Sequence, residues 1–150
     1  NNNEKNSIKK LGINVFESTF FTKNNTNIML KQNTIKIIIN VIIWLVVILM
    51  MKDKNVALCI TQSIFSSEIL IGYLKLLYFN NKVSGIYNKL FTLFITNKYS
   101  NKHESQLLEY AFEYECLKSY GHILLSTKNF NENNEKWTSE WEDIKIKIKD

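Results

Sequence analysis

Few side chains in this sequence have the type and setting to do chemistry, and they are carboxylates, lysines and amides in apolar surroundings. In VALCITQSIFSSEILIGYLKLLYF, residues 56–79, Glu68 stands in a stretch of bilayer-crossing length, and Lys75 follows seven residues later, about two turns along the same helical face. A carboxylate at membrane depth is protonated, paired, or turned toward water in a pore or cavity, so Glu68 is where an ion path or an assembly contact would be built. Asn40 is the amide inside a more apolar run, TIKIIINVIIWLVVILMM, residues 34–51. It can bond to a neighbouring helix or, nearer the interface, to water. Glu109 and Glu113 form an i, i+4 pair of like charge that would suit a cation or acid–base work, but a solvated helix face is the commoner use of that pattern.

Other chemistries find no support in the sequence. His103 and His122 are too far apart on one helix to share a metal. Cys59 and Cys116 are too few and too distant for a disulfide framework or a zinc site, and read as reduced, mostly buried thiols. No glycine-rich phosphate loop and no nucleophile with a local signature occurs. We therefore expect no enzyme, no cofactor, no catalytic or metal-ligating residue and no small-molecule substrate. Every cation is lysine, so no guanidinium fork is present to read a base edge, and specific nucleic-acid recognition is not expected. The wealth of Asn, Lys and Ile without Arg looks like an AT-rich coding bias.

These residues need elements to hold them. A chain of 150 residues with 45% hydrophobic and 13% aromatic residues can build a sizeable core, and no proline with only four glycines leaves few enforced breaks, so an all-α chain is predicted. It begins at Asn1 rather than Met, which reads as a processed product or part of something longer. At 1.5 Å per residue, residues 34–51 extend roughly 27 Å as a helix, close to the hydrocarbon thickness of a bilayer. The run lies too far along the chain and ends in MMKDKN, which argues against a cleaved signal. A buried soluble helix would need covering on all sides by a chain with little other purely apolar material. The run therefore reads as a transmembrane helix, with Lys36 snorkelling at one end and Lys52 and Lys54 closing the other.

Residues 56–79 form a second, marginal span, since Thr61, Gln62, Ser63, Ser66, Ser67, Glu68 and Lys75 weaken insertion on its own. The short link KDKN would return the chain as an antiparallel pair, giving a transmembrane helical hairpin over residues 34–79. The alternative is an amphipathic helix at the surface or in a soluble bundle, with Glu68 solvated. Residues 1–102 carry 13 lysines against four acids, and residues 103–150 carry six against ten. Lys23, Lys31, Lys82, Lys89 and Lys98 outnumber Lys52 and Lys54 of the link, which places both termini on the cytoplasmic side of a bacterial inner membrane or an organellar one.

Residues 1–33 read as a polar, partly disordered segment with an apolar island, INVFESTFF. Residues 80–150 read as a cytoplasmic helical region. Ile86, Leu90, Leu93 and Phe94 form one helical stripe; Leu107, Tyr110, Tyr114, Leu117 and Leu124 form another, interrupted at Gly121. In the last segment Trp137, Trp141, Ile144 and Ile148 share a helical face and Ser139 with Glu142 fits a capping box, although IKIKIK alternates like a strand; a helix with core tryptophans is preferred.

The layout, together with IYNKLFTLF from Ile86 and LLEYAFEYECLKSYGHILLSTKNFNENNEKWTSEWEDI from Leu107 to Ile144, resembles the SMODS and SLOG-associating two-transmembrane families of small bacterial membrane proteins, the SLATT families. The resemblance implies a non-enzymatic effector in bacterial defence that oligomerises and permeabilises the membrane when a nucleotide-sensing or nucleotide-synthesising partner signals. It maps no ligand-binding residue onto this chain. Two other readings stand beside it: a structural accessory subunit of a larger membrane assembly, in which other subunits complete the polar second helix, and a soluble helical bundle with residues 37–51 as its central helix. The expected partners are the lipid bilayer and copies of the chain or other membrane subunits.

Overall fold

The computed structural model describes the backbone of residues 2–50, 54–65 and 68–149, and the side chains of these other than 2–6, 54, 63–65, 68, 101 and 149. It is all-helical among the described residues: α1 (Asn2–Met50), α2 (Lys54–Phe65), α3 (Glu68–Phe91), α4 (Glu104–Gly121) and α5 (Thr127–Lys149). A π-helical turn, Thr92–Thr96, ends α3, closed by Asn97 N–H donating to Thr92 O at 2.9 Å, and a short 3-10 turn, Asn101–His103, leads into α4.

Aromatic and aliphatic side chains recur at helical spacing on four of these helices, and their burial makes a bundle. Pairings along α1 fix the directions. Phe16 meets Tyr87, Thr26 meets Asn80 and Thr34 meets Tyr73, so α3 runs antiparallel to α1. Phe16 meets Trp141 and Gln32 meets Asn129, so α5 is antiparallel too. Gly12 lies against Leu107 and Thr22 against Tyr114, so α4 runs parallel to α1. The result is an up-down-up-down arrangement of α1, α3, α4 and α5. A Cβ on Gly12 would lie 2.5 Å from two carbons of the buried Leu107 side chain, so any larger residue there would force Leu107 or the helices to shift.

Phe16, which is 0% exposed, is the hub: its ring lies 5.2 Å edge-on to Trp141, 5.8 Å stacked on Phe94 and 5.4 Å from Tyr87. Val83, Ile86, Leu90, Leu93, Leu107, Tyr114, Trp137 and Trp141 complete the core. The predicted stripe of residues 86–94 and the tryptophan face of α5 are thus both buried.

Several expectations need correction. The segment expected to be polar and partly disordered is helical from Asn2 onward, because its Phe and Thr residues share the face that meets α3, α4 and α5. The stripe after Val83 does not belong to a separate helix; it continues α3, which begins at Glu68. Leu124 does not extend the α4 face. The helix stops at Gly121, where a Cβ would sit 2.8 Å from the Phe79 ring, and His122 turns left-handed (φ 44, ψ 32), a reversal that removes Leu124 from the periodic face. Ser139 caps nothing, since it lies inside α5; at the helix start, the Ser126 hydroxyl instead accepts from Asn129 N–H at 3.2 Å. Cys59 is exposed rather than buried, and Cys116 is half-buried.

Candidate functional site: the apolar arm and its root

Past Thr34, α1 leaves the bundle. Of its most apolar 18-residue window, with mean hydropathy 2.3, none is buried; this is the one helix long and apolar enough to cross a membrane among the described residues. Ile38, Ile39, Ile42, Ile43, Val46 and Leu49 are all exposed, Leu49 by 83%. The start of α3 repeats the pattern with Ile69, Ile71 and Leu74 exposed, and α2 with Val56 and Leu58. Contiguous exposed apolar surface of this kind marks a membrane or protein interaction site rather than the surface of a soluble monomer.

The root of this arm is marked by Thr34, whose hydroxyl donates to Tyr73 OH at 3.2 Å. Asn40 lies six residues farther out on α1, about 9 Å along the helix, and Glu68 lies five residues out on α3, about 7.5 Å. Asn40 is exposed and its Nδ2 donates to Lys36 O at 3.0 Å, so in this structure the amide serves its own helix. Glu68 opens α3, and its side chain lies outside the described residues. Lys75 falls on the bundle side of the root, exposed. The backbone positions of the three residues singled out by sequence therefore flank one level of the molecule, Asn40 and Glu68 on its arm side and Lys75 on its bundle side. Residues 51–53 and 66–67, which include Lys52 and Asp53 of the proposed link and Ser66 and Ser67, also lie outside the described residues, whereas Lys54 and Asn55 of the link open α2.

Two clefts open at the root, one on each side of the reversal between α4 and α5. The first, about 450 Å³, lies between α3 and the end of α4, with Lys75, Tyr78, Lys82, Tyr120 and His122 among its walls. The second, about 620 Å³, lies between α1 and α3, with Lys36, Asn40, Tyr73, His122 and Leu124 among its walls. Glu113 borders the first cleft but is engaged: Lys89 Nζ donates to its Oε2 at 2.8 Å, and this hydrogen bond holds the Lys89 ammonium above the usual lysine range.

Behind the clefts runs a polar seam that sequence reading passed over. Tyr114 OH bonds Ser18 Oγ at 2.9 Å and Thr22 Oγ1 at 2.8 Å; Thr26 Oγ1 donates to Asn80 Oδ1 at 2.6 Å; Asn25 Nδ2 donates to Ser126 O at 3.0 Å. Gln32 and Asn129 pair their amides in both directions, at 3.1 and 3.3 Å. Asn25, 2% exposed, keeps its Oδ1 without a hydrogen bond among the described residues. The available signal was spacing: Ser18, Thr22 and Asn25 recur at i, i+4 and i+7, a period that a disordered polar segment has no reason to keep. Such networks fix which helix faces meet, because slippage would strand buried donors. Tyr114→Phe should cost about 1–3 kcal/mol by leaving the Thr22 hydroxyl short of its partner. Urea denaturation in detergent measures it, and an unchanged midpoint would show that the seam does not stabilise the bundle.

No family model, curated protein or solved structure matches this chain. The functional argument rests accordingly on the arm, its root and the seam.

Among the described residues no cluster of three or more His, Cys, Asp or Glu is placed to hold a metal ion. The Glu109 and Glu113 pair sits on α4 with Glu113 paired to Lys89, and the partly exposed ion pair contributes at most about 1 kcal/mol.

Proposed function

We propose that this chain is an integral membrane protein whose helical bundle stands on the basic, cytoplasmic side while the arm, α1 beyond Thr34 and the chain from there to about Tyr73 of α3, enters the bilayer as a helical hairpin and associates with further copies; the second crossing ends short of residue 79, because Leu76 and Phe79 are buried in the bundle. The observation that carries this reading is the apolar length of α1 beyond Thr34, of whose most apolar 18-residue window no residue is buried. A bilayer satisfies that surface, and a soluble bundle with residues 37–51 at its centre would have had to bury it. The start of α3 brings exposed apolar side chains to the same arm, and α2, before it in the chain, exposes Val56 and Leu58, as a second, more polar crossing requires. Helices that polar need neighbours inside the membrane, which makes a homo-oligomer the expected state.

Activity then lies in the membrane. With the SLATT resemblance, the reading is an effector that permeabilises the bilayer in bacterial defence, with Glu68 facing water or a neighbouring subunit near one boundary of the hydrocarbon. Replacing Glu68 with Gln keeps the shape and removes the charge, so insertion should persist or improve while oligomer size and ion leakage change. Side-by-side measurement of assembly and of dye or ion release from vesicles tests this. Identical behaviour of the two proteins would remove Glu68 from the mechanism and the pore with it, leaving the accessory-subunit reading.

A further inference from the structure

We propose that the cleft between α3 and the C-terminal end of α4 receives the headgroup of an anionic phospholipid, held by Lys75 and Lys82 and anchored by the α4–α5 reversal dipping into the membrane surface. This rests on the arm beyond Thr34 and Tyr73 entering the bilayer. The bundle directions place the reversal, Gly121 to Ser126, at the arm end of the molecule, because α4 runs parallel to the outgoing α1. Leu124, at its tip, is 90% exposed and shares a cleft with Ile69, Gly72 and Asn40 of the arm. Tyr120, beside it, is 84% exposed. Exposed leucine and tyrosine with no core to serve, held at the level where an apolar helix begins, are the side chains that the membrane interface accommodates.

The charge fits an anion. Lys75, Tyr78 and Lys82 lie at i, i+3 and i+7 on α3, one face that forms a wall of the cleft. Among the described residues neither Lys75 nor Lys82 has a carboxylate partner within ion-pair distance, whereas Glu113, the acid at the cleft, is held by Lys89. Lys82 also approaches the Tyr78 ring, 5.7 Å from its centre. Measured from Tyr73 at the root, Lys75 and Lys82 stand about 3 and 13.5 Å along α3, within the headgroup layer once flexible lysine stems are allowed for. A lipid phosphodiester could lie between the two ammonium groups while its acyl chains run beside the arm. A free anion would have no use for the exposed Leu124 and Tyr120 beside the cleft, which favours the lipid.

The test uses the full chain in bilayer discs made of phosphatidylcholine with a minority of phosphatidylglycerol. Wild-type protein should retain phosphatidylglycerol in its lipid shell above the bulk ratio, and Lys75→Gln with Lys82→Gln should abolish the enrichment, about fivefold for each lysine lost. Lys9→Gln with Lys10→Gln, at the far end of α1, removes the same charge and should leave the enrichment intact. Insertion is followed separately by carbonate-resistant sedimentation. Wild-type protein released by carbonate would overturn the span and the headgroup site together. Inserted wild type without enrichment, or an inserted double variant that keeps it, would overturn the headgroup site alone. Loss of enrichment in millimolar inorganic phosphate would assign the cleft to a free anion and overturn the lipid as its occupant.

Discussion

Ile43→Lys should move the protein out of the carbonate-resistant membrane fraction. Position 43 lies within the uncovered part of α1, and its side chain is 56% exposed with no contact to the bundle core. A lysine at the centre of a spanning helix costs roughly 2.5–3.5 kcal/mol of insertion free energy, a loss on the order of 70- to 400-fold in partitioning. Because the site is remote from the core, the unfolding midpoint of the bundle in detergent should stay where it is. The two readouts separate a membrane role from a folding role. An unchanged membrane fraction would count against the span, and a lowered midpoint would mean that residue 43 packs against something.

Phe16→Ala should have the opposite profile. Phe16 is fully buried and touches rings from α3, the π-helical turn and α5, so truncation removes its own burial and leaves a cavity among Tyr87, Phe94 and Trp141. Substitutions of this kind cost about 3–5 kcal/mol, a large part of the roughly 5–15 kcal/mol that holds a typical domain together. Chemical denaturation should show the loss directly, and tryptophan emission should shift to the red as Trp137 and Trp141 become solvated. Membrane retention through α1 should survive. A Phe16→Ala midpoint within about 0.5 kcal/mol of wild type, the ordinary range for surface substitutions, would refute the placement of the first third of the chain in the core.

The contrast between positions 43 and 16 shows what a reader of sequence can and cannot see. Ile43 sits in an apolar run whose length alone matches a bilayer, and that requires no knowledge of any other residue. Phe16 sits in INVFESTFFTKNNTN, where apolar and polar residues mix because the helix faces three different neighbours. Its burial depends on partners from Tyr87 to Trp141. The same limit applies to Thr22, Asn25 and Thr26: buried hydroxyls and amides look like loop or solvent residues until the groups that satisfy them, 54 to 101 residues away, are in place.

By itself the sequence determined the all-helical class, through the absence of proline and the scarcity of glycine, and the uncovered apolar stretch of α1. It also determined the buried stripes Ile86–Phe94 and Trp137–Trp141, through a period of 3.6 residues. Only the tertiary structure decided that α1 continues unbroken from bundle to arm, that Gly121 ends α4 against the Phe79 ring, and that Lys75 and Lys82 meet Tyr120 and His122 across a cleft at the root. Local periodicity records whether a face is wet or dry, which is a property of one helix. Partner choice, the close approach of Gly121 to another helix's ring, and a cleft between elements are properties of pairs, and a period carries no term for them.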